Sequence, residues 1–241
     1  MRQTTSSACF GLDGGIMKLE LVGIRKNYGK KEVLKDVTFS AESGKCIGIL
    51  GTNGSGKSTL LSIMAGVQRC TDGTFTCDGT DLFRSSAERA RLIGYVPQGT
   101  PLIEELSAKD NLSLWYTKAE MKRELEGGVL RMLGIDAFLK TTVSKMSGGM
   151  KKRLSIGCAV AHDPQILFLD EPSAALDIIC KEKITEYLTG FKARGGIAII
   201  ATHDAYQLEL CDKLYILKNG ILNPYNESRN IHDLVGCLKN E

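Results

Sequence analysis

The sequence predicts an α/β protein in which a sheet carries helices on its faces. Strand-like and helix-like segments alternate along the chain from Met17 onward, an order typical of this class. Some strand segments alternate apolar and polar residues, whereas others are short continuous apolar runs of the kind buried in a parallel sheet. The stretch from 101 to 162 is rich in helical patterns. We therefore expect a mixed sheet with an antiparallel part and an inserted helical subdomain.

The predicted elements follow in chain order. Residues 18–24 and 34–40 predict half-buried strands, and "KCIGIL", "QILFLD" and "GIAIIAT" predict buried ones. Helical patterns cover "KSTLLSIMAGV", residues 108–134, the stretch after Gly149, residues 175–195, and finally residues 229–240. Residues 1–16 contain one Arg and no apolar run, so they predict a flexible tail and not a secretory signal. One domain is then expected to cover residues 17–241.

Composition excludes several classes of protein. The chain has 241 residues, 43% of them hydrophobic, which is enough for a substantial core. The net charge of +3 is mild and dispersed, so no nucleic acid partner is expected. The eight cysteines occur singly, without CxxC pairs, which favours reduced thiols over disulfides or a zinc site. No run approaches the roughly 18 apolar residues that would span a bilayer, so we expect a soluble chain.

The strongest chemical signal is "GTNGSGKST", which matches G-x-x-x-x-G-K-[ST] between a buried strand and a helix. Backbone amides in such a loop turn toward a β-phosphate at the positive end of the helix dipole. Lys57 would reach the β and γ oxygens, Ser58 would bind Mg²⁺, and Thr59 would contact the α-phosphate. The alternative is an ordinary glycine turn, which this context disfavours. The predicted nucleotide ligands are Gly51, Thr52, Asn53, Gly54, Ser55, Gly56, Lys57, Ser58 and Thr59.

Two carboxylates follow the buried strand in "QILFLDEP". Asp170 ends that strand at the carboxyl edge, where open α/β sheets bind ligands, and is predicted to hold Mg²⁺. Glu171 comes next and is expected to point to the opposite side of the strand line, where it would activate a water molecule. An isolated Asp-Glu pair is more often a solvated strand end. The phosphate-binding loop makes the functional interpretation stronger.

These residues together resemble the ATP-binding subunits of ABC (ATP-binding cassette) transporters. The resemblance runs from Met17 to about Gly220, with the motifs in the family's order: "NYGKK" like the A-loop, "YVPQ" like the Q-loop, "SGGM" like the signature, "SAALD" like the D-loop and "THD" like the H-loop. Other P-loop families share the phosphate loop and the acidic strand end but not this set. The resemblance implies a P-loop NTPase of ABC ATPase type that binds ATP and Mg²⁺ and couples ATP hydrolysis to transport.

The resemblance also implies roles for single residues. Tyr28 would stack on adenine, and Gln98 would reach Mg²⁺ or the attacking water when its loop moves inward. His203 would donate to the γ-phosphate, while Asp177 would cap a helix and face a partner subunit. The implied catalytic residues are Lys57, Gln98, Glu171 and His203, and the implied metal ligands are Ser58, Gln98 and Asp170.

The signature implies a second copy of the ATPase subunit. Ser147 and the amides of Gly148 and Gly149 would form a second anion site, used by the ATP of another subunit in a head-to-tail dimer. The basic run 151–153 would add a favourable field. Met150 replaces the usual Gln, and the loss of one neutral hydrogen bond should cost about 1 kcal/mol. We therefore expect an active site and an ATP-bound homodimer.

Transport requires a membrane permease, which the resemblance implies is a separate chain, with this subunit on the cytoplasmic face of the membrane. Its predicted docking region is "PLIEELSAKDNLSLWY", although Trp115 and Tyr116 could instead form the subdomain core. The compact chain resembles prokaryotic export ATPases. The alternatives are a soluble ABC ATPase that drives a non-membrane assembly such as an iron-sulfur cluster scaffold, a DNA-repair or chromosome-clamp ATPase, and a P-loop kinase.

Overall fold

The computed structural model describes residues 16–173, 176–202 and 205–226, and only the backbone of 205 and 206. Its strands are β1 (Lys18–Tyr28), β2 (Lys31–Glu42), β3 (Cys46–Leu50), β4 (Asp72–Cys77), β5 (Thr80–Asp81), β6 (Ile93–Val96), β7 (Ile166–Asp170), β8 (Ile197–Ala201), β9 (Lys213–Lys218) and β10 (Ile221–Tyr225). Its α-helices are α1 (Lys57–Met64), α2 (Ser86–Leu92), α3 (Ala108–Leu112), α4 (Lys118–Gly127), α5 (Val129–Met132), α6 (Gly148–Ala159), α7 (Ile178–Ala193) and α8 (Ala205–Leu210). Two 3₁₀ helices cover Ile135–Phe138 and Val143–Lys145.

The strands form one mixed sheet in the order β5, β4, β1, β2, β10, β9, β3, β8, β7, β6. Strands β9, β3, β8, β7 and β6 pair parallel with one another in that order, and β10 pairs parallel with β2. Strand β1 pairs antiparallel with β2 and β4, and β10 pairs antiparallel with β9. The predicted mixed sheet with an antiparallel part is therefore confirmed.

The continuous apolar run of β3 is explained by packing on both faces of the sheet. Ile47 and Ile49 belong to one apolar cluster, which includes the buried face of α1. Cys46 and Leu50 belong to the other, which includes the helices between β6 and β7. Because successive side chains of a strand point to opposite faces, both sets of residues must be apolar.

The long helical pattern over 108–134 is divided into three helices, contrary to the continuous pattern that we expected. Ser107 and Asp110 form a capping box that starts α3. Thr117 and Glu120 form a second one that starts α4. In such a box each side chain bonds the other residue's backbone N–H, so the helix begins at that point. Helix α1 is also shorter than predicted, because Gly66 turns the chain with φ 77°.

Two predicted segments fall on residues that are not described. The predicted helix over 229–240 lies outside the described residues, as do residues 1–15 of the predicted tail. Among the described helices, none combines the length and the apolar character needed to cross a membrane.

Candidate functional site

The loop after β3 is built for close backbone approach. Gly56 directly precedes α1 with φ 108°, a conformation that L side chains rarely adopt. A Cβ atom at Gly51 would lie 2.6 Å from the carbonyl oxygen of Leu217, so only glycine fits between this loop and β9. These two glycines therefore let the loop pack against β9 and turn directly into the N-terminus of α1.

Lys57 is the first residue of α1 and is buried. Its Nζ donates to the carbonyl oxygens of Gly51 at 2.7 Å and Thr52 at 3.2 Å. Burial lowers the pKa of this ammonium, while the nearby Glu171 and Asp170 carboxylates oppose that shift. Among the described residues, its hydrogen bonds go to neutral carbonyls, and an ammonium can exchange such bonds for stronger ones to phosphate oxygens.

A cavity of about 530 Å³ opens beside this loop, which is a typical size for a small-molecule site. Its lining brings together Tyr28, Lys31, Val33, Asn53, Gly54, Gly56, Lys57, Ser58, Thr59, Gln98, Asp170 and Glu171. An adjoining cavity of about 520 Å³ is lined by the loop residues Thr52, Asn53, Gly54 and Ser55, together with lysines of β2 and β9. The first cavity thus brings together residues of four motifs, namely "NYGKK", the phosphate loop, "YVPQ" and the acidic end of β7.

The two carboxylates sit at the carboxyl end of β7. Asp170 is 2% exposed, and within the part of the chain that the structure describes no hydrogen-bond partner reaches its Oδ1 atom. Glu171 lies beyond the strand, with φ 48°, and its N–H donates to the carbonyl oxygen of Ala201 at 2.8 Å. Strand alternation therefore does not set the direction of Glu171, contrary to our expectation, and both residues line the same cavity.

Tyr28 ends β1 at the cavity mouth, where 47% of it is exposed. Its hydroxyl donates to the side-chain oxygen of Gln68, and Lys26 Nζ lies 4.9 Å from the ring centre. Gln98 follows β6 and lines the same cavity. His203 lies outside the described residues.

The signature forms the start of α6 and does not line the cavity. Ser147 precedes the helix, and its Oγ accepts a hydrogen bond from the N–H of Met150 at 3.2 Å. Gly148 is exposed, whereas Gly149 is buried. Gly149 lies so close to Cys180 that a Cβ atom at position 149 would be 2.8 Å from the Cys180 Sγ. The Met150 side chain packs partly against the core of the helical region.

Asp177 caps α7, as expected, by accepting a hydrogen bond from the N–H of Cys180 at 2.8 Å. Hydrogen bonds from the Cys180 backbone and thiol hold the pKa of Asp177 below its usual value. The cap therefore fixes the chain that precedes α7 next to the buried signature glycine.

The predicted docking region divides into two parts. Tyr116 is buried and its hydroxyl donates to the carbonyl oxygen of Gly157 at 2.8 Å, so it belongs to the subdomain core. Trp115 and Leu114 are each 60% exposed, and Ile103 is 45% exposed. The aromatic pair thus combines a core residue with a surface residue.

The structure gives two lysines contacts that the sequence did not reveal. Lys31 lines the cavity, and its position three residues after Tyr28 was the available signal. Lys152 is 5% exposed, and its Nζ donates to the carbonyl oxygens of Pro97 at 3.0 Å and Gln98 at 3.1 Å. It stands in a run of basic residues, so nothing in the sequence distinguished it from a solvated charge.

Comparison with known proteins identifies the family. A family profile described as "ABC transporter" matches residues 34–174, which is more than half of the chain. The linearmycin resistance ATP-binding protein LnrL of Bacillus subtilis is 34% identical over 84% of this chain and 67% of its own length. The Nod factor export ATP-binding protein I of Sinorhizobium fredii is 36% identical, over 84% of this chain but only 60% of its own length.

Solved structures show the same fold. The structure of an ATP-binding subunit of an ABC transporter superposes with a TM-score of 0.77 at 28% identity, covering 92% of this chain and 95% of the other. The dimeric cassette MJ0796 in a post-hydrolysis state with ADP and Pi gives a TM-score of 0.77 at 28% identity, covering 87% and 100%. The predicted fold class and ATPase activity are confirmed by these matches. The chain belongs to the family of ABC transporter ATP-binding subunits and is an ABC ATPase.

Proposed function

We propose that the chain powers an export-type ABC transporter by ATP-driven head-to-tail dimerisation and that a separate permease carries the substrate. The export assignment is supported by the relatives, since one is named for Nod factor export and another for linearmycin resistance. The permease is a separate chain in this proposal. We place the subunit at the cytoplasmic face of the membrane through that permease.

The observation that carries the dimer is the separation of the two anion-binding elements. The phosphate loop lines the cavity, whereas the exposed Ser147 and Gly148 at the start of α6 do not. One nucleotide cannot use both elements of a single chain, so a second chain would supply the second one. The dimeric form of the similar cassette MJ0796 supports this arrangement.

The cavity suits a nucleotide with Mg²⁺. Asp170 Oδ1 is a buried carboxylate oxygen with no hydrogen-bond partner among the described residues, which is the kind of ligand that a hard cation requires. Ser58 and Gln98 line the same cavity and supply further oxygens. When bound, the ion would neutralise charge on the β- and γ-phosphates.

The residues of this chain would then have separate roles in nucleotide binding and hydrolysis. Lys57 would exchange its two backbone carbonyl contacts for the β and γ oxygens, and Tyr28 would stack on the adenine at the cavity mouth. Glu171 would accept a proton from the attacking water, and Gln98 would orient that water. Loss of the γ-phosphate would remove the contact that joins the two chains, so the dimer would open.

The exposed apolar residues Ile103, Leu114 and Trp115 follow the Gln98 motif along the chain and are our proposed contact with the permease. Large apolar side chains exposed together on a helical region are typical of protein interfaces. Because they follow Gln98 closely in the chain, movement of the permease would reach the ATP site through the segment that carries Gln98.

The test is the mass in solution of the Glu171→Gln variant, measured by light scattering with and without Mg-ATP. This variant should bind ATP and not hydrolyse it, so its mass should double from 26.2 kDa only when Mg-ATP is present. A Ser147→Ala, Gly148→Asp form of the same variant is the control and should bind ATP as a monomer. A Glu171→Gln chain that binds ATP and stays monomeric would contradict the homodimer, and one that turns over ATP at the wild-type rate would contradict the role of Glu171.

A further inference from the structure

Lys152 is a buried charge outside the set of residues that contact the nucleotide in the proposed function. It lies in α6 and is 5% exposed. Its Nζ donates to two carbonyl oxygens, those of Pro97 at 3.0 Å and Gln98 at 3.1 Å. Burying an ammonium is costly unless its donors are used. These two hydrogen bonds therefore hold the carbonyl groups of Pro97 and Gln98 in place next to α6.

The neighbouring basic residues of α6 behave differently. Lys151 Nζ lies 3.3 Å from a carboxylate oxygen of the largely exposed Glu104. Arg153 donates to the carbonyl oxygen of Leu133 at 2.8 Å and lies over the ring of Phe138. The three basic side chains thus have three different partners. Lys152 is the one that reaches the segment after β6, residues 97–100, which we name the Gln98 loop.

The Gln98 loop connects the ATP site to the helical region. Gln98 lines the cavity together with Asp170 and Glu171, while its own carbonyl oxygen is held by Lys152. Because this bond holds the backbone of Gln98, it also limits where the Gln98 side chain can lie. Both carboxylates also act electrostatically on the Lys152 ammonium, so their negative field favours a cation on this side of the loop.

We propose that Lys152 is a positioning residue, which sets the backbone of the Gln98 loop and thereby the place of the Gln98 side chain in the cavity. Since Lys152 lies on the helix that begins with the signature, it also joins that helix to the ATP site of its own chain. A movement of α6 when the signature meets the partner's nucleotide would displace Gln98. This second step rests on the proposed function.

The first test is hydrogen exchange of the Gln98 loop in the nucleotide-free protein. Lys152→Met keeps the side-chain length and removes the donors, so it leaves two carbonyl groups without their partner. We expect the peptide that covers the end of β6 and the loop to exchange at least about fivefold faster than in wild type, because local opening of the paired β6 amides becomes easier. Lys151→Met is the matched control and should leave loop exchange unchanged. Equal exchange in the two variants would overturn the proposal.

The second test separates positioning from stability. Lys152→Met should lower kcat about tenfold or more, since small displacements of an orienting group are costly, while the Kd for ATP changes less than about twofold. Lys152→Arg retains donors and should recover kcat to within about threefold of wild type. A lower Tm with unchanged kcat per folded molecule would mean a structural role only and would overturn the proposal. Failure of the Glu171→Gln variant to dimerise with Mg-ATP would refute the proposed homodimer, and the exchange comparison would still decide the role of Lys152.

Discussion

The contact between Gly149 and Cys180 allows packing to be separated from ligand binding at the signature. A Cβ atom at Gly149 would lie 2.8 Å from the Cys180 Sγ, well inside the roughly 3.5–4.0 Å of an ordinary non-bonded contact. The sulfur could retreat only by leaving its 3.6 Å contact with Asp177 Oδ2. We therefore expect Gly149→Ala to force the start of α6 away from α7.

The size of the effect follows from two opposing contributions. Overpacking a well-packed contact costs about 1–3 kcal/mol, and the higher helix propensity of alanine returns up to about 1 kcal/mol. For an overpacking cost near the middle of that range, about 2 kcal/mol, the net loss is about 1–2 kcal/mol, which corresponds to a Tm about 2–8 °C lower for a chain of this size. Gly148→Ala is the matched control, because a Cβ there meets no atom within 4 Å. Only the propensity gain then remains, so its Tm should not fall and should rise by up to about 4 °C.

The assay is a double-mutant cycle followed by scanning fluorimetry. Cys180→Ala removes the sulfur, so the nearest atom to an alanine at 149 becomes the Cβ at 3.6 Å, an ordinary contact. The Tm of Gly149→Ala, Cys180→Ala should therefore be no lower than that of Cys180→Ala alone. If Gly149→Ala lowers Tm by the same amount with and without the sulfur, the packing argument is refuted.

Three further predictions test other parts of the molecule. Tyr116→Phe removes a buried hydroxyl that donates to Gly157 at 2.8 Å, so thermal unfolding should show a loss of about 1–2 kcal/mol with unchanged ATP turnover per folded molecule; an unchanged Tm would contradict this. Trp115→Ser changes a residue that is 60% exposed, so Tm should hold within about 1 °C while co-purification with a membrane-embedded partner falls; a fully retained complex would exclude Trp115 from docking. Burial raises the pKa of Cys77 to about 11 and that of Cys158 to about 12. At pH 8 only about one Cys77 thiol in a thousand is ionised, so iodoacetamide should label both residues slowly in the native protein and quickly in urea. Raising the pH should speed the labelling of Cys77 first, and mass spectrometry that finds rapid native labelling at pH 8 would contradict burial.

The phosphate loop was predictable from sequence because its signals are local. A buried strand, glycines at the turn and a lysine at the helix start are all contained in a few neighbouring residues. The division of residues 108–134 was also encoded locally, in "SAKD" and "TKAE", which are capping boxes. The prediction of one continuous helical segment was wrong because the apolar periodicity continues past these two capping boxes, each of which begins a new helix. The cap at Asp177 was predicted correctly for the same local reason.

Long-range packing accounts for what the sequence did not reveal. Lys151 and Lys152 are adjacent and chemically identical, yet one faces an exposed carboxylate and the other enters the protein to meet the Gln98 loop. Only the position of α6 against β6 distinguishes them. In the same way, Gly149 is tied to Cys180, a residue far along the chain, and periodicity carries no information about such a pair.

The position of β3 in the sheet has a consequence for biosynthesis. β3 lies between β8 and β9, so its pairing partners include Ala198 and Lys213, more than a hundred residues further along the chain. A nascent chain that has emerged only as far as β7 carries both edges of β3 unpaired. The phosphate loop at the end of β3 cannot reach its final form until the ribosome has released β9. We therefore expect ATP binding to be acquired late in translation, after a period in which a strongly apolar segment has two unpaired edges.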